Sequence, residues 1–299
     1  MHTECPARYD AIVIGGSYAG LSAALQLARA RRRLLVIDAG IRRNRFALAS
    51  HGFLGQDGRE PGAIVAEARE QLLAYPNVQW RDGMATDARH DDRGFSVSLA
   101  DTRLAAPYLV LATGVKDELP SIEGLAQRWG RSVFHCPYCH GYELNEGRIG
   151  VLAAGPHSLH HALMLPHWGQ VTFFTNGALE PDDAQRAELR ARGVRIEPRR
   201  VLRLADTATV ELEDGTRVVL DGLFTATHMT MASPLAEQLG CELDESPMGR
   251  YIRTDALKQT TVPGVFACGD AARMAGNVAL AVGDGAQAGA SAHRAMLFG

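Results

Sequence analysis

The sequence predicts an α/β fold made of two Rossmann-like three-layer domains, the second inserted into the first. Three observations carry this. The chain opens with a strand, a glycine turn, a helix, a second strand and an acid, which is the order of a βαβ dinucleotide-binding unit. The same order recurs from Ile149. A buried strand ending in Gly269-Asp270 then returns late in the chain. The 299 residues suffice for two domains and a sizeable core. The expected division is 1–115 and 243–299 for the split domain and 116–242 for the insert.

Tyr9 to Ile14 reads as a buried strand, followed by Gly15-Gly16-Ser17-Tyr18-Ala19-Gly20 and a helical run from Leu21 to Ala30. Gly15 and Gly20 let backbone N–H groups approach a pyrophosphate at the helix start. Ser17 departs from the pattern, standing where G-x-G-x-x-G has its middle glycine. The next strand, Leu34 to Ile37, ends at Asp38, placed to accept from ribose hydroxyls. Arg42 to Gly58 lacks periodicity and reads as a functional loop. Pro61 to Ala74 is a helix, and Val78 to Met84, Phe95 to Leu99 and Tyr108 to Leu111 are strands. The last runs into Ala112-Thr113-Gly114. Lys116 to Pro120 reads as a turn crossing into the second domain.

In the insert, Ile149 to Leu152 and Val171 to Phe174 are strands around a helix, Leu159 to Leu165. The turn Ala153-Ala154-Gly155-Pro156-His157-Ser158 has lost the first and last fingerprint glycines, and Pro156 removes a donor. Thr175-Asn176-Gly177 offers neither an acid for a ribose nor arginines for a 2′-phosphate. The unit reads as nucleotide-binding by descent, with its site eroded. Pro181 to Arg192 is a polar helix. Val201 to Leu204, Thr209 to Leu212 and Arg217 to Leu220 form a meander. Val262 to Asp270 is a turn, a buried strand and a Gly-Asp end. Val278 to Arg294 is a small-residue helix broken by Gly283, Gly285 and Gly289.

Net charge is −3, from 31 basic and 34 acidic residues, which favours neither nucleic acid nor a membrane surface. No apolar run spans a bilayer, and Ala11 to Ile14 is too short for a signal-peptide core. The expected location is cytoplasmic. Five scattered cysteines are no disulfide scaffold. Cys136-Pro137-Tyr138-Cys139 is different. Positions i and i+3 share a helix face, Pro137 suits the first helical position, and Cys136 precedes it as the cap. A helix start lowers a thiol pKa, giving a dithiol suited to disulfide exchange. The rival readings are zinc, with His135 and His140 completing the ligands, or a structural buried pair. Cys268 is a buried filler, and Cys5 and Cys241 have no partner. His157, His160, His161 and His167 are surface or packing residues, so no metal is expected.

The glycine turn, Ala112-Thr113-Gly114, the cysteine pair and Gly269-Asp270 occur together in an order that resembles the low-molecular-weight thioredoxin reductase-like FAD-dependent disulfide oxidoreductases. The resemblance covers essentially the whole chain. It implies FAD held by Gly15, Ser17, Gly20 and Asp38, with Thr113 and Gly114 in the adjoining turn. Gly269 and Asp270 would lie near its phosphates and ribitol. Ala279 would lie at the flavin edge, at a helix start that stabilises a reduced, anionic ring. Arg43 and Asn44 follow the Asp38 strand closely enough to reach the phosphates. His51 sits where the family's loop approaches the flavin, as a second base or as a residue packing on the ring. Cys139 is implied as the flavin-proximal sulfur and Cys136 as the interchange sulfur.

His140 stands where the family has an acid/base aspartate, and an imidazole near pKa ~6.5 can do that work at neutral pH. This change and the eroded second turn resemble the dithiol oxidases that close disulfides in gliotoxin- and holomycin-type molecules. The expected function is therefore oxidation of a dithiol through Cys136–Cys139, with oxygen or another acceptor and without NADPH. The alternatives are NAD(P)H-dependent reduction of thioredoxin and a non-catalytic FAD-binding regulator. The expected partner is a small-molecule dithiol or a thioredoxin-like protein, and family likeness implies a homodimer.

Overall fold

The computed structural model describes residues 9–91 and 94–299, so Cys5 lies outside the described residues. The chain divides into two compact units. One comprises the chain up to Arg43, Pro61–Lys116 and Met229–Gly299; the other comprises Asn44–Glu60 and Asp117–His228.

The first unit is built on a five-stranded sheet in the order Val265–Ala267, Leu109–Leu111, Ala11–Ile14, Leu34–Asp38, Val78–Asp82. Every neighbouring pair is parallel. A parallel sheet is covered on both faces, so its strands are apolar throughout. Ala11, Val13, Leu34 and Val36 pack with the helices Tyr18–Arg29 and Val278–Phe298. Their alternates Ile12, Ile14, Leu35 and Ile37 pack with Phe95 and Val97 of an antiparallel meander, Ala85–Asp91, Gly94–Leu99 and Thr102–Ala106.

Several expectations change here. The C-terminal helix is not broken at its glycines but runs through Val278–Phe298. A Cβ on Gly285 would lie 2.0 Å from the Ala19 carbonyl oxygen, and one on Gly289 would lie 2.3 Å from that of Ala23. These two glycines serve helix contact rather than helix breaking. Val115–Glu118 is a strand and not a turn. The chain re-enters the first unit at Met229 rather than at residue 243, because Leu235, Ala236, Leu239 and Cys241 join the core that holds Phe95.

The second unit repeats the theme. Its sheet is ordered Arg195–Glu197, Gln170–Phe174, Arg148–Leu152, Gly222–Thr225, Val133–Phe134, again with parallel neighbours. The meander Val201–Ala205, Thr209–Leu212 and Arg217–Val218 is antiparallel. Residues 44–60, read as part of the first domain, pack with this unit: a Cβ on Gly130 would lie 2.8 Å from the Phe46 Cβ. Among the described residues, no helix is long and apolar enough to cross a membrane.

Candidate active site

In each sheet the strand that opens the βαβ unit, Ala11–Ile14 or Arg148–Leu152, has the next strand of that unit on one side and a strand from much later in the chain on the other, so the strand order reverses there. Open α/β sheets bind ligands at such a reversal, beyond the carboxyl ends of the strands. In the first unit this crevice lies between Ala11–Ile14 and Leu109–Leu111. Gly15 takes φ +105°, and a Cβ there would lie 2.2 Å from the Ala112 carbonyl oxygen. A Cβ on Gly20 would lie 1.7 Å from the Gly15 carbonyl oxygen. The turn and the helix start are therefore pressed together, with Ser17 as the helix cap residue. Asp38 accepts from the Gly16 N–H at 2.9 Å through one carboxylate oxygen. Thr113 and Gly114 continue from Ala112, and the Gly114 carbonyl accepts from Ala232. Gly269 and Asp270 begin a short 3-10 turn after the last sheet strand. Arg43 pairs with Asp270 at 2.9 Å. Ala279 is the second residue of the C-terminal helix, which Asn277 caps by accepting from the Leu280 N–H at 2.8 Å.

In the second unit the turn after Arg148–Leu152 is bonded largely to itself. The N–H groups of Ser158, Leu159 and His160 donate to the carbonyls of Gly155, Pro156 and His157. The Ala154 N–H donates to the buried Ser158 hydroxyl at 2.9 Å. Four donors of this turn and helix start, on Ala154, Ser158, Leu159 and His160, thus have acceptors within it. The absence of cations read from Thr175-Asn176-Gly177 needs correction. The Arg200 guanidinium lies about 3.7 Å from the place a Cβ on Gly177 would take.

Cys136 and Cys139 form a disulfide, with Cα atoms 5.3 Å apart. Pro137 opens the helix Pro137–His140, which is a single turn with Cys136 as its cap residue. Phe134 comes from the last strand of the sheet and carries the His140 ring at 4.3 Å between centroids. His135 stacks instead on Trp129 at 5.8 Å. The two histidines that zinc would need are thus committed to different aromatic neighbours. Among the described residues, no cluster of three His, Cys, Asp or Glu side chains is arranged to hold a metal ion. Tyr138 and Tyr142, on either side of Cys139, are 71% and 83% exposed.

Burial pushes the His140 imidazole down to about 4, and the neighbouring His51 adds to the effect. The ring is neutral at pH 7 and can accept a proton, well away from the ordinary histidine value expected from sequence. His51 and Asn44 lie in the 44–60 segment. His51 Nδ1 lies 3.5 Å from Glu143 Oε1 and 3.6 Å from Asp57 Oδ1. Burial pushes the Cys268 thiol up to about 12, which makes it inert. Cys241 is also buried.

Sequence reasoning missed Glu143, Arg200 and Asn277. Asn277 was readable, since asparagine before a helical run is a common cap. Glu143 and Arg200 meet their neighbours only through the fold.

The chain matches the pyridine nucleotide-disulphide oxidoreductase family over residues 9–290. It is 59% identical to an oxidoreductase of known crystal structure from Agrobacterium tumefaciens, with a TM-score of 0.95 over 97% of this chain and 99% of that one. The crystal structure of HlmI is 36% identical, with a TM-score of 0.90 over 97% and 93% of the two chains. Thioredoxin reductase tcpT of Claviceps purpurea is 34% identical, covering 96% of this chain and 94% of its own length. The chain belongs to the pyridine nucleotide-disulphide oxidoreductase family and is a thioredoxin reductase-like disulfide oxidoreductase.

Proposed function

We propose that the protein is a dithiol oxidase, closing the disulfide of a small-molecule dithiol through Cys136–Cys139. The observation that carries the direction is the internally bonded turn of the second unit. There the Ser158, Leu159, His160 and Ala154 N–H groups already have acceptors. That arrangement disfavours pyridine nucleotide as the electron source.

Residue roles follow from chemistry. A substrate thiol gives its proton to a base, with His140 neutral and available, and attacks Cys136 Sγ. The Cys136–Cys139 bond breaks and Cys139 leaves as a thiolate. The second substrate thiol loses its proton and attacks the mixed disulfide, which closes the substrate S–S bond and releases Cys136 as a thiolate. Two electrons pass to the cysteine pair, and two protons pass to bases. The exposed rings of Tyr138 and Tyr142 offer an apolar approach to the site for a small substrate.

The family implies FAD, and the first crevice suits it: the close-pressed Gly15 and Gly20 would bring a helix start to its pyrophosphate, and Asp38 would accept from its ribose. Ser17, Thr113, Gly114, Gly269, Asp270 and Ala279 would complete this site. Arg43 would act through Asp270. Asn44 and His51 belong to the other unit. Bound FAD would supply a two-electron acceptor that returns the cysteine pair to the disulfide, with oxygen or another compound as the final oxidant.

A second reading, NAD(P)H-dependent reduction of a thioredoxin-like disulfide, is favoured by Arg200 beside Gly177, a cation near where a 2′-phosphate would sit. Thiol counting tests the redox centre. Anaerobic dithiothreitol should expose two alkylatable thiols, at Cys136 and Cys139, and bleach the flavin. A flavin that dithiothreitol bleaches just as fast in the Cys136→Ser variant would reject the assignment.

A further inference from the structure

The dithiol reaction sheds two protons; one imidazole lies on the segment that carries the disulfide, and a second faces it. His140 ends the single helical turn that holds Cys139. His51 comes from a distant loop, and its Nδ1 faces Glu143 Oε1 at 3.5 Å in the next turn, Tyr142–Leu144. The loop is fixed in shape. The Ser50 N–H donates to the Arg59 carbonyl at 2.8 Å, and the Gly58 N–H donates to the Ser50 carbonyl at 2.9 Å. The Gly52 N–H donates at 2.8 Å to Asp57 Oδ1, the second carboxylate oxygen that His51 faces. His51 is only 20% exposed and Glu143 is 40% exposed, while Asp57 at 67% is the more solvated partner.

We propose that His51 is a second proton acceptor of the dithiol reaction, and that Glu143 is the positioning residue that orients it. This rests on the dithiol-oxidase reading above. The titratable groups facing His51 are Glu143, Asp57 and His140. A carboxylate at Nδ1 favours the tautomer with its proton there, which leaves Nε2 as the acceptor. The two rings differ in setting: His140 is largely buried, and His51 lies between two carboxylates.

The test follows flavin bleaching by dithiothreitol in anaerobic holoenzyme across pH. His51→Ala should slow bleaching at least about tenfold and remove one limb of the profile. Glu143→Gln should keep that limb but move it to lower pH by roughly 0.2–0.7 unit, since a facing negative charge is gone. Glu143→Asp should restore part of the shift. A loop defect alone would lower the rate without moving the limb, and that outcome overturns the proposal. Wild-type bleaching with both variants tracking its rate and profile overturns the proposal alone. A wild-type flavin that dithiothreitol never bleaches overturns the proposal together with the reading beneath it.

Discussion

The His140 imidazole lies on the Phe134 ring, 4.3 Å between centroids and 21° from parallel. Phe134 in turn packs on Phe224 at 5.6 Å, so the base beside the disulfide rests on the second unit's core. A ring held this way is desolvated, and its charged form is disfavoured.

Turnover should reflect that placement. The rate limb due to His140 should lie near pH 4, not near the ordinary 6.5. His140→Ala should slow turnover by roughly 10²–10⁴-fold and erase that limb. A wild-type limb near 6.5 that disappears in the same variant would contradict the buried, neutral ring.

Acid stability should follow the same physics. Burial holds His140 and His161 down to about 4, against an ordinary 6.5. Between those values the unfolded chain binds protons that the folded chain does not, so acid favours unfolding. Stability should be full above pH 6.5 and fall as the pH drops toward 4, by up to about 3 kcal/mol for each histidine. Urea midpoints measured from pH 7 to 4 check this. His161→Gln should flatten the dependence, and an unchanged slope would contradict it.

The cysteines should separate by role. Cys136→Ser should leave Cys139 as a free thiolate, and Cys139→Ser should leave Cys136. If Cys139 is the flavin-proximal sulfur, long-wavelength thiolate–flavin absorbance should persist in Cys136→Ser and vanish in Cys139→Ser. The reverse pattern would exchange the roles.

The helix glycines give opposite expectations from one substitution. Gly285→Ala meets the Ala19 carbonyl at 2.0 Å, and backbone cannot step aside cheaply. It should destabilise by about 1–3 kcal/mol or more despite better helix propensity. Gly283→Ala meets nothing within 4 Å and should stabilise by up to about 1 kcal/mol. Melting temperatures of the two variants decide it.

These glycines also show where sequence reading stops. A glycine in a helical run looks like a breaker until the facing carbonyl is seen. The Gly15–Gly20 turn, Asp38 and the cysteine pair were legible because their chemistry is local, set by spacing along one strand–turn–helix segment. Ala85–Asp91 was missed because most of its side chains are polar or exposed, and its strand character comes from pairing with Gly94–Leu99. Trp80, beneath Gly16, and Arg200, beside Gly177, arrive from other elements and leave no local trace. The His140 pKa was misjudged for the same reason: residue type suggests 6.5, and burial on Phe134 lowers it to about 4.

In a dithiol oxidase, electrons enter at the cysteine pair from a dithiol and not from NADPH. Each charge-assisted phosphate contact that is missing costs on the order of 10–10²-fold in affinity. The direct measurement is anaerobic titration of the flavin-loaded protein, first with micromolar NADPH and then with a small dithiol. NADPH should leave the flavin spectrum unchanged, the dithiol should bleach it, and air should restore it. Bleaching by micromolar NADPH within seconds would contradict the account and make Arg200 part of a working nucleotide site.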